Sequence, residues 1–403
     1  MWKDNFPQEY RHWEIETGII YNVDTLQILK DFPDESINLV VTSPPYFLKR
    51  DYGVEGQIGL EETSEEYINK LLNIFKEIYR ILRPDGIVFV NIDDTYTGKK
   101  AEENTISGKV IFNRKSLMMI PERFALGMIG LGLILRNKII WKKPNSLPES
   151  VKDRLAHKYE FIYMFTKNPK YWNDLDAIRL PHKKVSIERA LRGMSSNHKY
   201  AGLHKYGGGG GLNKPRPNIT HLKHDIAIGR TGDVSYIDPL HSRPLHPLGK
   251  NPGDILEIPT KPFKESHFSV YPEDLIRPLI KFGCPKEICK KCGKARKRIT
   301  KTIGKERVSW GVDKKARVIG TQGKPAMRNI NITIGWTNCG CNVGWEPGIV
   351  LDPFFGSGTT GVVAERLGCY WIGIDLNPEY CKIAKKRIEK IVIEKSQELL
   401  FEK

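Results

Sequence analysis

The strongest constraint on the fold is a regular alternation of short apolar segments with amphipathic ones along the first 170 residues. The apolar segments are about six residues long, which is typical of buried strands. Strand-like segments cover residues 18–23, 37–41, 87–92, 133–141 and 159–165, and helix-like segments cover 24–32, 63–82 and 117–130. Such alternation predicts a parallel sheet with helices on both faces.

The pattern stops and then returns near the end of the chain. Residues 172–255 lack periodicity and include five consecutive glycines at 207–211, which favours a loop region. Helix-like residues 271–282 follow. After them, a strand at 348–351 leads through a glycine turn into a helix at 360–367. A strand at 370–374 then leads into a last helix, with Asn377 as its cap and Pro378 in its first turn. The chain therefore belongs to the α/β class, with inserted segments.

Charge is concentrated in two places. Lys and Arg exceed Asp and Glu by 17. Residues 179–223 hold ten basic residues against one acidic residue, and residues 281–317 hold fourteen against three. Because these windows contain the whole excess, they indicate a polyanionic partner, namely nucleic acid.

Two other classes of protein are disfavoured. The longest apolar run, residues 124–135, is shorter than the roughly 20 residues that cross a bilayer. The first residues lack the apolar stretch of a signal peptide. We therefore expect a cytoplasmic protein without a membrane partner.

Four of the seven cysteines form two close pairs, which suit a tetrahedral zinc site of the zinc-ribbon kind. These candidate ligands are Cys289, Cys292, Cys339 and Cys341. Gly293 and Gly340 beside them fit the tight turns that such pairs need. Cys284 is a spare candidate, Cys369 and Cys381 are expected in the core, and free thiols or another metal remain alternatives.

A glycine turn with the sequence FGSG follows the strand at 348–351. A helix comes next, and Asp375 ends the following strand, 19 residues after Gly356. This arrangement is typical of nucleoside binding, with the carboxylate on the ribose hydroxyls. The turn lacks the GxGxxG pattern and the lysine of a P-loop, so a phosphate-free adenosyl ligand suits it better than NAD or ATP.

A second motif, TSPPY at residues 42–46, ends the strand at 37–41. Two prolines remove backbone donors and leave carbonyl acceptors, while Ser43 adds a hydroxyl and Tyr46 a flat ring. Acceptors beside an aromatic ring suit the exocyclic amino group of a stacked base.

Together these motifs resemble those of the permuted beta group of S-adenosylmethionine-dependent DNA amino-methyltransferases. The order is the same: TSPPY first, a variable target-recognition region next, and DPFFGSGTT at residues 352–360 last. Residues 141–154 and 266–272 also resemble family segments. The resemblance implies a Rossmann-like methyltransferase fold, with a doubly wound, mostly parallel sheet and a target-recognition insert. The paired cysteines predict a four-cysteine, zinc-ribbon-like insert in addition.

The resemblance also implies a division of the chain and of the site. The expected parts are a catalytic half at 1–171, a target-recognition region at 172–255, a return to the methyltransferase domain at 256–283, a basic cysteine-rich insert at 284–345 and a cofactor-binding half at 346–403. Catalysis is assigned to Ser43, Pro44, Pro45 and Tyr46. The implied S-adenosylmethionine contacts are Asp352, Phe354, Gly356, Gly358, Thr359, Asp375 on the ribose, Phe268 near the adenosyl group and Asp24, which either touches the adenine or only caps a helix.

Ser43 in the TSPPY motif resembles enzymes that methylate N4 of cytosine, and N6 of adenine is the alternative. The expected reaction is site-specific methylation of double-stranded DNA, which protects it from a cognate restriction endonuclease. RNA and protein-glutamine methyltransferases place the cofactor motif first, so the motif order disfavours them. A zinc-containing DNA-binding protein with an inactive methylase core is the alternative from another class.

Overall fold

The structure is a computed structural model. It describes residues 2–97, 105–106, 109–110, 113–187, 245–261, 271–309 and 326–401. The chain divides into two compact units, and each is described by itself. The first unit comprises Met1–Ile178, Gly253–Arg296 and Cys339–Lys403, and the second comprises Arg179–Pro252 and Lys297–Asn338.

The strands are numbered in chain order. They are β1 (Arg11–Ile15), β2 (Gly18–Asn22), β3 (Ile37–Thr42), β4 (Leu82–Ile92), β5 (Thr105–Ile106), β6 (Lys109–Val110), β7 (Ile134–Lys142), β8 (Tyr159–Thr166), β9 (Ile255–Glu257), β10 (Ile288–Cys289), β11 (Arg298–Ser309), β12 (Ala326–Trp336), β13 (Trp345–Glu346), β14 (Ile349–Asp352) and β15 (Tyr370–Asp375).

The α-helices are numbered in the same way. They are α1 (Thr25–Leu29), α2 (Ser64–Ile81), α3 (Ile120–Gly130), α4 (Glu273–Gly283), α5 (Thr359–Leu367) and α6 (Pro378–Phe401). Short 3₁₀ helices cover Trp2–Asn5 and Leu175–Ile178. Among the described residues, no helix has both the length and the apolar character that a bilayer crossing requires.

A nine-stranded sheet forms the centre of the first unit, in the order β1-β2-β15-β14-β3-β4-β8-β7-β9. The five strands from β2 to β4 in this order run parallel to one another. Strand β14, from the end of the chain, lies between β3 and β15. The TSPPY strand and the FGSG strand are therefore neighbours although some 310 residues separate them in sequence.

Helices cover both faces of this sheet, as predicted. Successive residues of β3 point to opposite sides: Val40 packs in one buried cluster, and Leu39 and Val41 pack in the other. Helices α1, α2 and α3 contribute to the first cluster, and α4, α5 and α6 to the second. Each fully buried aliphatic side chain contributes about 1.5–3 kcal/mol, so the sheet is stabilised from both sides.

The sheet has antiparallel pairs on both sides of its parallel centre, and at one edge β1 runs antiparallel to β2. Strand β8 runs antiparallel to both β4 and β7. Residues 143–158 connect β7 to β8 without a crossover helix, and a parallel connection needs such a crossover. The sheet is therefore mostly parallel, in agreement with the family resemblance.

The second unit contains a long two-stranded antiparallel ribbon of β11 and β12, in which Arg298 pairs with Trp336. The Arg298 guanidinium lies 4.8 Å from the centre of the Trp336 ring. Leu180 and Lys250 form an isolated antiparallel bridge in the same unit. The five-glycine run at 207–211 lies outside the described residues, as do most of the basic window at 179–223 and part of the one at 281–317.

Candidate active site

A cleft of about 620 Å³ opens in the first unit at the carboxyl ends of the parallel strands. Its volume lies within the range of about 300–1,000 Å³ that ligand pockets occupy. Ser43, Pro44 and Tyr46 line it together with Phe355 and Gly356. The two motifs that the sequence analysis singled out therefore meet in one cleft.

Asp352 connects the two motifs through hydrogen bonds to a residue of each. It is fully buried. One carboxylate oxygen accepts hydrogen bonds from Thr42 Oγ1 at 2.7 Å and from the Phe354 amide at 3.1 Å. The other accepts from Tyr271 OH at 2.8 Å and from Thr360 Oγ1 at 2.6 Å. Burial raises the pKa of Asp352 to about 6 although these donors oppose the shift. Asp352 therefore lies beneath the cleft, holding the end of β3 to the glycine turn.

The glycine turn presents its backbone at the rim of β15. Gly356 and Gly358 have φ angles of 51° and 78°, a region that favours glycine. Asp375 accepts hydrogen bonds from the Gly356 amide at 2.6 Å and from the Asn377 amide at 2.8 Å. Burial raises its pKa to about 6. Asp375 also lines the cleft, so its remaining lone pairs face the position where a ligand hydroxyl would bind.

Arg387 and the Trp371 ring stabilise the glycine turn. Arg387 of α6 donates to the Ser357 carbonyl at 2.7 Å and to Thr359 Oγ1 at 3.0 Å. The Phe355 ring stacks on Trp371, with the centroids 5.7 Å apart. A Cβ atom at Gly373 would lie 2.3 Å from Phe355 Cγ, so a glycine is required there. The cofactor turn is therefore a rigid element.

The TSPPY segment offers acceptors to the cleft. The Pro45 carbonyl is occupied, because Tyr67 OH of α2 donates to it at 2.8 Å. Within the part of the chain that the structure describes, the Pro44 carbonyl accepts no hydrogen bond, and Pro44 lines the cleft. The Ser43 hydroxyl donates to Tyr46 OH at 3.2 Å, which leaves its oxygen lone pairs available.

A buried polar network holds Tyr46. Its hydroxyl donates to Glu160 Oε2 at 2.8 Å, and Asn91 Nδ2 donates to the same oxygen at 3.0 Å. Lys143 forms an ion pair with the other oxygen of Glu160. Burial, followed by the charges of Glu160 and Asp93, raises the pKa of Tyr46 well above its ordinary value. Tyr46 is therefore a neutral, oriented ring.

The remaining predicted cofactor residues are distributed as follows. Phe354 and Thr359 line the cleft, and Gly358 is the N-cap residue of α5. Asp24 caps α1 by accepting from the Gln27 amide at 2.9 Å, and it also lines the cleft, so both readings of it stay open. Phe268 lies outside the described residues.

The sequence analysis missed three residues that shape the site: Asn91, Glu160 and Arg387. The importance of Glu160 could have been predicted from the sequence, because an acidic residue inside an otherwise apolar strand needs a buried partner. Asn91 stands in a similar apolar strand. No sequence pattern predicts the role of Arg387, since basic residues are common on amphipathic terminal helices.

The four cysteines of the two predicted pairs come together in the first unit. The sulfur atoms of Cys289, Cys292, Cys339 and Cys341 all lie within 4.8 Å of one another. Cys284 is not among them. It is buried and interacts with Cys369. Cys369 and Cys381 are buried, as expected.

Comparison with known proteins decides the family. The model of the family described as DNA methylase (N6_N4_Mtase) matches residues 37–288 and 345–386, which is most of the chain. The chain belongs to this family. The methylase is 30% identical to the type II methyltransferase M.SfiI of Streptomyces fimbriatus, with 90% of this chain and 88% of that protein covered. It is also 30% identical to M.XycI of Xanthomonas campestris pv. cyanopsidis, with 92% and 87% covered.

A solved structure shows the same fold. The PvuII DNA methyltransferase (cytosine-N4-specific) aligns with a TM-score of 0.52 and 18% identity over 94% of this methylase and 89% of that chain. The prediction of an S-adenosylmethionine-dependent DNA methyltransferase of the restriction–modification type is therefore confirmed. The cleft fits that cofactor, because the Asp375 carboxylate, the Gly356 backbone and the Phe354 ring face one space.

Proposed function

We propose that this methylase transfers a methyl group from S-adenosylmethionine to the N4 amino group of cytosine at a specific site in double-stranded DNA. The observation that carries the proposal is the meeting of Ser43 and Pro44 with the Phe354–Gly356 turn in one cleft. The serine in the TSPPY motif supports cytosine rather than adenine, since N6-adenine enzymes usually carry Asp or Asn at that position.

The roles follow from charge development during transfer. When bound, S-adenosylmethionine supplies an electrophilic methyl group on a sulfonium centre. A base amino nitrogen is a poor nucleophile because its lone pair is delocalised into the ring. Ser43 Oγ and the Pro44 carbonyl accept the two amino hydrogens and favour a pyramidal nitrogen. As positive charge builds on that nitrogen, these acceptors stabilise the transition state more than the ground state, and the methylated nitrogen then releases one proton to water to give the neutral product.

Tyr46 holds the target base. The base must leave the duplex, which costs a few kcal/mol. The Tyr46 ring offers a stacking surface, worth about 1–3 kcal/mol in nucleic-acid complexes. Because Glu160 and Asn91 secure the Tyr46 network, this ring is already oriented before DNA binds.

The cofactor roles also belong to the proposal. Asp375 accepts hydrogen bonds from the ribose hydroxyls, and Phe354, Gly356 and Thr359 contact the rest of the cofactor. Asp352 acts as a positioning residue, since the chain itself occupies both of its oxygens.

The parts of the chain keep their proposed roles. Residues 172–255 form the target-recognition region and residues 284–345 form an insert. The family match supports the insert, because it stops at residue 288 and resumes at 345. The two basic windows supply phosphate contacts. Since DNA is the substrate, a cytoplasmic location and protection against a cognate endonuclease complete the proposal.

The decisive experiment identifies the modified base. DNA is incubated with the purified protein and S-adenosylmethionine and digested to nucleosides, which are separated and identified by mass. We expect N4-methyldeoxycytidine from the wild-type protein and at least a hundredfold less from Ser43→Ala. Ser36→Ala is the matched control, because the Ser36 hydroxyl donates to the nearby Pro33 carbonyl at 2.7 Å and Ser36 is not among the residues that line the cleft.

Each other outcome contradicts a different part of the proposal. N6-methyldeoxyadenosine would overturn the choice of base but leave the transfer reaction in place. Cofactor and DNA binding without any methylated nucleoside would favour the inactive methylase core. Methylation of RNA or protein in preference to DNA would overturn the substrate.

A further inference from the structure

The second chemical feature of the first unit is the cluster of four cysteine sulfurs. Cys289 ends β10 and Cys292 follows in the next turn, while Cys339 and Cys341 precede β13. The pairing of Cys289 with Trp345 places these two segments side by side. The sulfur atoms of all four residues lie within 4.8 Å of one another.

We propose that Cys289, Cys292, Cys339 and Cys341 bind one Zn²⁺ as a tetrahedral four-thiolate site. Zinc–sulfur bonds of about 2.3 Å place the sulfurs of such a tetrahedron roughly 3.8 Å apart. The observed cluster agrees with this spacing. All four cysteines are free, so the cluster is not explained by disulfide bonds.

The backbone around the sulfurs has the form that such a site requires. Gly293 and Gly340 have φ angles of 66° and 75°, so each cysteine pair sits on a tight turn that favours glycine. Two turns of this kind, facing each other, direct four sulfurs to one point.

Charge at the cluster also favours the metal. Zinc with four thiolates carries a net charge of −2. The turn between Cys289 and Gly293 carries Lys290 and Lys291, and Lys294 follows, all exposed. These cations offset the charge of the bound site. Because four protein ligands fill the tetrahedron, no position is left for a substrate, and the metal is structural.

The cluster is attached to the methylase sheet. Arg83 of β4 donates to the Gly293 carbonyl at 2.9 Å, and Trp172 Nε1 donates to the Arg296 carbonyl at 2.8 Å. A segment of 46 residues separates Cys292 from Cys339, so each end of this segment is next to a cysteine of the cluster. Zinc therefore fixes both ends of this basic segment, and the entropy of closing so long a loop is offset by metal binding. The family match omits residues 289–344, and all four cysteines lie within that segment.

The test measures metal in the full-length protein. Elemental analysis after purification with a reductant and dialysis against Zn²⁺ should give one zinc per chain. Protein loaded with Co²⁺ should show the intense thiolate-to-cobalt absorption and the visible bands of a tetrahedral four-sulfur site. Cys339→Ser should reduce zinc to below a tenth of an equivalent. Cys284→Ala is the matched control and should retain one equivalent, because this buried cysteine lies outside the cluster.

Several results would overturn the site. These are less than a tenth of an equivalent of zinc in the wild-type chain, a disulfide between two of the four cysteines that persists after purification with a reductant, or equal loss of zinc in Cys284→Ala and Cys339→Ser. If Cys339→Ser does not fold, the cobalt spectrum of the wild-type chain decides, since absence of the thiolate band contradicts four-sulfur coordination. None of these measurements depends on methyl transfer.

Discussion

The hydrogen bond from Thr42 to Asp352 is the direct link between the catalytic strand and the cofactor turn, and Thr42→Val tests it. Valine keeps the shape and the strand preference of threonine, so the substitution removes only the hydroxyl. Asp352 is fully buried and receives this bond at 2.7 Å. A hydrogen bond to a buried charged group contributes about 1.5–3 kcal/mol. We expect the free energy of unfolding to fall by about 2 kcal/mol, or roughly 30-fold in the equilibrium constant.

The effect should depend on pH. Burial already raises the pKa of Asp352 to about 6, and loss of a donor raises it further. A carboxyl whose pKa is higher in the folded state than in the unfolded state costs stability above the folded-state pKa. The cost disappears as the pH falls and the group is protonated. The destabilisation by Thr42→Val should therefore be larger at pH 8 than at pH 5.

Denaturant unfolding at both pH values, followed by tryptophan fluorescence, measures this effect. Thr166→Val is a matched control: Thr166 is also buried in the sheet, but its hydroxyl has no hydrogen-bond partner among the described residues. Its replacement should be neutral or stabilising. If Thr42→Val costs no more than Thr166→Val at either pH, Asp352 does not link the two motifs as argued.

Three further predictions concern the cleft. Ser43→Ala should lower turnover at least a hundredfold and leave DNA affinity within twofold, because the hydroxyl acts on the reacting nitrogen. Methylation rates and gel shifts test this, and unchanged turnover contradicts the role. Asp375→Asn should weaken S-adenosylmethionine binding by about 10- to 100-fold through loss of a charged acceptor. Since the pKa of Asp375 is about 6, wild-type affinity measured by calorimetry should fall as the pH drops below 6, and Asp375→Asn should show a weaker dependence. Gly373→Ala should cost about 1–3 kcal/mol by overpacking against Phe355, seen as a lower melting temperature, and an unchanged melting temperature would contradict the rigid turn.

Several site elements were predictable because they depend on local chemistry. The predicted helices and strands of the first unit follow from apolar periodicity, and their ends differ from prediction by at most five residues, whereas the short strands β1 and β9 were not predicted. The glycine turn follows from its sequence, since only glycine adopts the backbone angles of Gly356 and Gly358 without strain. Tight turns at Gly293 and Gly340 were expected for the same reason, and both have positive φ angles.

Other site elements depend on contacts between distant residues. No local pattern shows that Glu160 receives the Tyr46 hydroxyl or that Arg387 holds the cofactor turn, because each pair joins segments separately placed by the sheet. The antiparallel edge at β8 is a further case, since strand direction depends on the path of the connection and not on the strand's own residues.

The sequence alone determined the secondary-structure elements, the two binding motifs and the four paired cysteines, because these reside in short stretches of chain. The tertiary structure decided which of them are neighbours. Strand β14 lies beside β3, and the buried Asp352 connects the two strands through its hydrogen bond with Thr42. The four cysteine sulfurs lie in one cluster. Packing both faces of one sheet selects these neighbours, since burial of apolar surface is a property of the whole fold and of no single segment.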